Sequence, residues 1–480
     1  MISRERMAAV DRNAEALGVP RRQLMESSGN AVASEVRTVA DPGDRIVIVA
    51  GRGNNGGDGF VAARFLADYD VRVHLLGRAE TITTEIAQDN WVALERAAFE
   101  THEVTDSRSF ALPDCEVIVD AMLGTGVTGA LREPAATAAT KMNEHDATVI
   151  AVDVPSGLDA DTGRAAGIAV DADRVVTFHD AKPGLVDLDV PVTVADIGIP
   201  RAAELFVERG DLAILTRDPQ SHKGDHGRVL VVGGGPYSGA PALSARAALR
   251  AGADLAYVAC PSAIESTLRS YSEDLIVNGF NGTRLVPEHV EELLDRASAN
   301  DVVILGPGLG DAEPTLEAVG DFLRGFDGRA VVDADALQVV PTVETEATLV
   351  CTPHQGELRG MGGPSAADWR ERADAVEAFA DELGHTLLVK GAHDVVSDGE
   401  TVRVNRTGNP GMTVGGTGDV LAGVTGALLS AADREPVVAA AIAAYANGVA
   451  GDRAAETNGY GLLATDLIDR LPDALWGERS

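Results

Sequence analysis

Short apolar runs alternate along this chain with stretches of helical spacing. In the first half the runs are 45–50 (RIVIVA), 71–76, 117–120 and 148–154, each bounded by polar loops. Helical spacing fills 60–68 and 83–99 between them. The pattern then restarts. Apolar runs at 228–232, 254–259, 301–305, 330–332, 348–350 and 386–389 read as strands. Segments 239–252, 365–383, 419–429 and 436–455 read as helices. Unbroken apolar strands separated by helices predict an α/β chain whose parallel sheets are covered on both faces. In such sheets ligands sit beyond the carboxyl ends of the strands. Between the two series, 208–224 is charged, contains Asp218-Pro219 and lacks periodicity. That predicts a first domain over 1–212, a linker over 213–222 and a second domain over 223–480. A length of 480 residues also favours two cores over one.

Composition narrows the class. The formal charge of −34 argues against nucleic acid and against an anionic membrane surface. Charge of this size favours solubility at a cost in self-repulsion, a balance used by halophilic proteins. Lysine occurs only at 141, 182, 223 and 390. High salt explains both facts, and a GC-rich genome would explain the lysine scarcity alone. No apolar run reaches the roughly 18 residues that span a bilayer. The N-terminus lacks a signal peptide's apolar stretch. Cys115, Cys260 and Cys351 are scattered, without a CxxC pair. A cytoplasmic enzyme without a disulfide framework or zinc site is expected, and a homo-oligomer is the expected assembly.

The chemistry-bearing residues cluster at strand ends. In 409–419, Asn-Pro-Gly-Met-Thr-Val-Gly-Gly-Thr-Gly-Asp, four glycines feed the start of an apolar helix. Bare amides and the helix dipole there suit an anion. Asp419 closes the loop. A carboxylate beside a phosphate site suits a base that takes a proton from an attacking hydroxyl; a helix-capping acid is the plainer alternative. After 45–50 comes Gly51-Arg-Gly-Asn-Asn-Gly-Gly-Asp-Gly59, neither GxGxxG nor a P-loop. Asp120 leads to Gly124-Thr-Gly-Val-Thr-Gly129, and Asp153 to Pro155-Ser-Gly157. Asn55, Asp58, Asp120, Asp153 and Ser156 thus converge as oxygen donors that suit a hard, monovalent cation better than zinc. Lys182 is a candidate proton carrier if burial lowers its pKa; a surface charge is the alternative.

Together with Leu24-Met-Glu-Ser-Ser-Gly29 and Lys182-Pro-Gly184, these segments resemble the NAD(P)H-hydrate epimerase domain, a Rossmann-like three-layer αβα fold, through residues 1–212. Ser28 stands where that family usually has Ala. The resemblance implies epimerisation of the R and S hydrates of NADH and NADPH, with a potassium ion on Asn55, Asp120 and Ser156. It implies substrate binding by Asn54, Asn55, Gly56, Gly57 and Asp58, by Gly124, Thr125, Gly126, Val127, Thr128, Gly129 and Ala130, and by Asp153. Asp153 and Lys182 become the candidates for proton transfer.

The second half carries Gly233-Gly-Gly-Pro-Tyr-Ser-Gly-Ala-Pro241, Gly306-Pro-Gly-Leu-Gly310, Val331-Val-Asp-Ala-Asp-Ala-Leu337, Thr352-Pro-His-Gln-Gly-Glu357 and Val389-Lys-Gly-Ala-His393. Glycine loops with a lysine at strand ends make a nucleotide-phosphate cleft, Lys390 serving as a point charge. His354 reads as a proton carrier, a substrate contact or a structural histidine. The set resembles the ribokinase-like ADP-dependent NAD(P)H-hydrate dehydratase over about 220–475, also a three-layer αβα fold. Gln355 replaces that family's usual Pro. The resemblance places Ala240, Gly308, His354 and Asp419 on the hydrated nicotinamide. It places Lys390, Gly391, Ala392, His393, Asp394 and Gly418 on ADP with magnesium. A ribokinase-like kinase of a small hydroxyl compound remains the alternative, as does a nucleotide-binding regulatory protein without catalysis.

Overall fold

The computed structural model describes residues 1–126 and 129–477, the Ser109 side chain excepted. The chain divides into two compact units, Met1–Ala203 and Glu204–Ser480. The seam lies earlier than the expected 212. Val207 donates its amide to Val404 O at 3.0 Å. Asp211 meets Arg403 at 2.9 Å, both side chains deeply buried, and Leu212 and Leu215 enter the second unit's core. A short 3-10 segment, Arg209–Ile214, held by so few side chains leaves no period in the sequence.

In the first unit the strands are β1 (Arg45–Ala50), β2 (Asp70–Leu76), β3 (Glu100–Val104), β4 (Val117–Ala121), β5 (Thr148–Val152), β6 (Arg174–Phe178) and β7 (Val192–Ala195). They form one sheet in the order β3-β2-β1-β4-β5-β6-β7, with every pairing parallel. Consecutive residues of β1 feed opposite cores. Ile46, Ile48 and Ala50 pack on one side, Val47 and Val49 on the other. Both faces are covered, so the strand shows no polar alternation. Each such Val or Ile contributes roughly 1.5–3 kcal/mol by leaving water. The order turns back between β1 and β4, and that switch point opens the crevice.

The second unit holds β8 (Arg228–Val232), β9 (Leu255–Pro261), β10 (Ile276–Phe280), β11 (Val302–Leu305), β12 (Arg329–Val332), β13 (Thr348–Cys351), β14 (Thr386–Val389), β15 (Asp394–Ser397) and β16 (Val402–Asn405). Their order is β10-β9-β8-β11-β12-β13-β14-β15-β16. Again β8 splits its side chains, Val229 and Val231 to one core, Leu230 and Val232 to the other. The sheet is not wholly parallel: β14–β15 and β15–β16 are antiparallel. Only residues 390–393 separate β14 from β15. A connection that short permits a hairpin and excludes a crossover.

Several helices lie where none was expected, among them Ala135–Asn143, Glu313–Gly325 and Ala464–Trp476; three others bear on the first unit's cavity. The helix expected from residue 60 starts at Asn54 (Asn54–Phe65), so most of the glycine-rich segment is helical. Those glycines serve packing. A methyl group on Gly56 would lie 2.0 Å from Gly51 O, and one on Gly59 would lie 2.8 Å from Ala121 Cβ. Helices Arg4–Ala16 and Arg21–Val36 have no clean apolar stripe in sequence because their buried positions include Asn13, Ser28 and Glu35. No helix among the described residues is long and apolar enough to cross a membrane.

Candidate functional site

In the first unit the ends of β1, β4 and β5 line a cavity of about 350 Å³. Asn54, Asn55, Asp58, Gly124, Thr125, Gly126, Asp153 and Lys182 all reach it. Asn55 and Asp153 converge on one glycine: a methyl group on Gly124 would lie 2.9 Å from Asn55 Oδ1 and 3.2 Å from Asp153 Oδ2. Asp153 sits in the left-handed region at φ +67°, a conformation Asp tolerates at some cost in strain and one that recurs at functional sites.

Lys182 is 1% exposed. Its Nζ donates to Thr177 Oγ1 at 3.1 Å, Phe178 O at 2.9 Å and Asp180 O at 3.0 Å, and lies 3.4 Å from Asp153 Oδ1. Thr177 in turn donates to Asp153 Oδ1 at 3.2 Å. The surface-charge alternative for Lys182 therefore fails. Its protons are all engaged, which suits holding Asp153 better than carrying a proton.

Two further carboxylates face the cavity. Burial pushes Asp58 well above the usual carboxylate range, and Asp153 and Asp11 add to this. Burial likewise pushes Asp11 up to about 6; Arg21 opposes the shift and Asp153 reinforces it. Asp11 comes from helix Arg4–Ala16, far from any glycine motif, and no pattern around it marks it in sequence. Thr177 is equally silent, a lone hydroxyl inside an apolar strand.

Asp120 and Ser156 lie beneath the cavity rather than on its wall. Ser156 gives Asp120 both its amide, at 2.8 Å, and its hydroxyl, at 2.7 Å. Burial raises Asp120 to about 6 and those bonds oppose it; no positive side chain contributes. Asn55 Nδ2 is buried without a hydrogen-bond partner. A fully buried carboxylate without a positive side chain, bonded to a hydroxyl, offers oxygen donors that fit a monovalent ion; the orphaned Asn55 N–H is itself a donor and adds nothing to that set.

Other expected contacts fall elsewhere. Gly56 and Gly57 turn inward, Gly57 against Met25. Gly129 and Ala130 line a separate cavity of about 450 Å³ with Arg52 and Arg132. Val127 and Thr128 lie outside the described residues.

In the second unit a cavity of about 740 Å³ is bounded by His354, Lys390, Gly391, Ala392, Asp394 and the 407–418 loop. Lys390 is one of its charged residues. Its Nζ lies 3.0 Å from Asp333 Oδ1 and 3.6 Å from Glu357 Oε2, and 3.4 Å from where a Gly418 methyl would be. Burial works against the Lys390 charge, but Asp333, Glu357 and Asp419 outweigh it and raise its pKa. Asp333 also accepts Thr352 Oγ1 at 2.7 Å. Asp333 and Glu357 stand inside the 331–337 and 352–357 motifs, but only the fold shows them facing the lysine.

The apolar helix starts at Thr417 behind Gly416, its N-cap, at φ +97°, a conformation that favours glycine. No side chain caps it, so Asp419 is not a capping acid. Its carboxylate makes no hydrogen bond among the described residues. Burial first, then Asp333 and Glu357, push it up to about 7, with Lys390 opposing. His354 plays a structural part, because its Nδ1 accepts the Gly356 and Glu357 amides at 2.9 and 3.0 Å. That leaves the Nε2–H tautomer. His393 does not line the cavity; its ring stacks on Trp369 at 5.5 Å. Ala240 and Gly308 meet one another instead, with a Gly308 methyl 3.3 Å from Ala240 Cβ.

A family model described as NAD(P)H-hydrate dehydratase matches residues 229–473, and one described as YjeF-related protein N-terminus matches 21–184. The bifunctional NAD(P)H-hydrate repair enzyme Nnr of Methanothermobacter thermautotrophicus is 44% identical over 98% of this chain and 94% of its own. That of Pyrobaculum aerophilum is 47% identical over 97% and 96%. Among solved structures, a ribokinase-like superfamily protein from Enterococcus faecalis is 26% identical with a TM-score of 0.50, covering 56% of this chain and 95% of its own. The two matched models and these near full-length likenesses show that the chain belongs to the family of bifunctional NAD(P)H-hydrate repair enzymes.

Proposed function

We propose that the first unit interconverts the R and S hydrates of NADH and NADPH, and that the second dehydrates the S form at the expense of ADP, releasing AMP and phosphate. The observation that carries the second step is Asp419: a half-buried carboxylate raised to about 7, free of side-chain bonds, beside a lysine under a glycine-rich helix start. The hydrated ring bears a hydroxyl on a saturated carbon, and hydroxide is a poor leaving group. Asp419 takes the hydroxyl proton as that oxygen attacks the terminal phosphorus of ADP and displaces AMP. The Gly415–Gly418 amides and Lys390 hold the phosphate oxygens. The ring nitrogen then expels phosphate, a proton leaves the neighbouring carbon, and the reduced cofactor returns. Asp333, Glu357 and Asp419 against one lysine leave an acidic excess. No cluster of three or more His, Cys, Asp or Glu among the described residues forms a metal cage. Both facts fit magnesium that arrives on the nucleotide, where it would neutralise phosphate charge.

In the first unit, inversion at the hydroxyl-bearing carbon needs a group that takes a proton and returns it. Asp153 is that group, positioned by Lys182 and Thr177. Asn55, Asp120 and Ser156 would hold potassium, which supplies the positive charge Asp120 lacks. The acidic, lysine-poor surface suits a salt-rich cytoplasm.

Incubation of the purified chain with mixed hydrates, magnesium and ADP, followed by absorbance of the reduced cofactor, tests both units. Complete conversion is expected. Conversion that halts when S is exhausted would remove the epimerase assignment, and none at all the dehydratase. The pH dependence follows from Asp419. The base must be ionised, so kcat/KM for dehydration should rise through a single acid limb with its midpoint at or below about 7, since a bound cation favours the carboxylate. Stability moves the other way. A carboxyl raised on folding holds its proton after the unfolded chain has lost it, so this group's stabilisation is lost as pH climbs from about 4 through about 7. A pH–rate profile beside a melting profile reads the two opposite trends.

A further inference from the structure

Three neighbouring strands of the second unit are each followed by one polar residue. Asp333 follows β12, Thr352 follows β13 and Lys390 follows β14. Those strands lie side by side and parallel, so the three side chains stand in a row across the carboxyl ends of the sheet. Asp333 Oδ1 takes both neighbours at once, Thr352 Oγ1 at 2.7 Å and Lys390 Nζ at 3.0 Å. Asp333 is 3% exposed and Thr352 is fully buried, so water does not compete for these bonds. The backbone is tied as well. Asp333 N donates to Leu305 O at 3.0 Å, and Thr352 N to Val332 O at 3.1 Å.

Three carboxylates act on the one ammonium: Asp333, Glu357 and Asp419. Only the first two pair with it among the described residues. Glu357 is the more distant of these, and its Oε2 already accepts the His354 amide at 2.7 Å. Charge balance alone would be met by pairing Lys390 with Asp419. The sheet instead supplies a buried acid from the neighbouring strands. The difference matters for a base. An ammonium drawn onto Asp419 would favour its ionised form and weaken its hold on a proton. It would also draw the cation from its place beside Gly418, where phosphate oxygens need it.

We propose that Asp333, pinned by Thr352, is a positioning residue for dehydration: it holds the Lys390 ammonium beside the Gly418 helix start and off Asp419, which stays unpaired to act as base. The inference rests on the reading of Asp419 as that base. The charged groups that face Asp419 are Asp333, Lys390 and Glu357. Loss of the Asp333 charge, and a Lys390 free to approach, both favour ionised Asp419. The acid limb must therefore move to lower pH.

The pH dependence of S-hydrate dehydration by the full chain, with magnesium and ADP, tests it. In Asp333→Asn the acid limb of kcat/KM should move down by about 1–3 pH units. Plateau kcat should fall about tenfold or more, since a weaker base and a displaced cation serve the same step. In a Lys390→Met background the same substitution should cost little further rate, because Asp333 acts through the lysine. That pair of variants has no stranded buried cation, and it carries the test if Asp333→Asn alone does not fold by circular dichroism. A limb that stays in place in folded Asp333→Asn overturns the proposal even if the rate falls, because a merely structural ion pair would lower rate without moving it. So does a plateau rate like the parent's, or a further loss in the Lys390→Met background as large as the loss in the parent. If the parent does not dehydrate S hydrate, or if Asp419→Asn turns over like the parent, the reading of Asp419 as base falls and this inference with it.

Discussion

Asp419→Asn should slow dehydration by at least about 10²-fold, and by up to about 10⁴-fold, while leaving the fold and the epimerase reaction intact. The range is the usual contribution of a general base. The substitution is isosteric, and Asp419 neither caps its helix nor bonds another side chain among the described residues. Replacing a carboxylate that burial already disfavours should leave stability equal or slightly higher near neutral pH. A melting temperature at or above that of the parent, with S-hydrate turnover reduced about a hundredfold, is the expected pair of results. Turnover like the parent's would remove Asp419 from the chemistry. Epimerisation, followed by consumption of R hydrate when wild-type second-unit activity is added, serves as the internal control.

Asp153→Asn should do the same to epimerisation, and comparison with Lys182→Met separates chemistry from scaffolding. The amide oxygen keeps one of the two hydrogen bonds that Thr177 and Thr125 donate to Asp153, and the amide cannot take a proton. Epimerisation should fall about 10²–10⁴-fold with little loss of stability. Lys182→Met is a different perturbation. It strands the Asp153 carboxylate and the Phe178 and Asp180 carbonyls, and breaking a buried pair from one side costs about 3–5 kcal/mol. The first unit should then melt markedly earlier. If Lys182→Met folds as well as the parent and loses only rate, Lys182 acts in proton transfer after all.

These contrasts bear on how much of the molecule is legible in its sequence. Strand positions read well because β1 and β8 are buried on both faces, so their apolar runs stand out. Glycine loops read well because backbone approach and positive φ demand glycine, as at Gly416. Helix starts are hidden by the same glycines: the pattern of 51–59 looks like loop, yet tight packing of Gly56 on Gly51 makes it helix from Asn54. Residues whose role comes from a distant partner are hardest. Asp333 acquires its place from Lys390, fifty-seven positions away, and Asp11 from a cavity that only the parallel sheet assembles. His393 is adjacent in sequence to true cavity residues, but the β14–β15 hairpin turns its ring toward Trp369.

The burial of Lys182 reaches beyond catalysis. Lysines are few here, and the fold shelters most of them. Lys182 is sealed, Lys390 is largely covered beside Asp333, and the Lys141 ammonium is held by Phe110 O. Lys223 stands open to water, and the amino terminus pairs with Asp180 at 2.8 Å. An amine-reactive dye or surface linker would therefore couple first at Lys223, within the second unit and away from the residues that line either cavity.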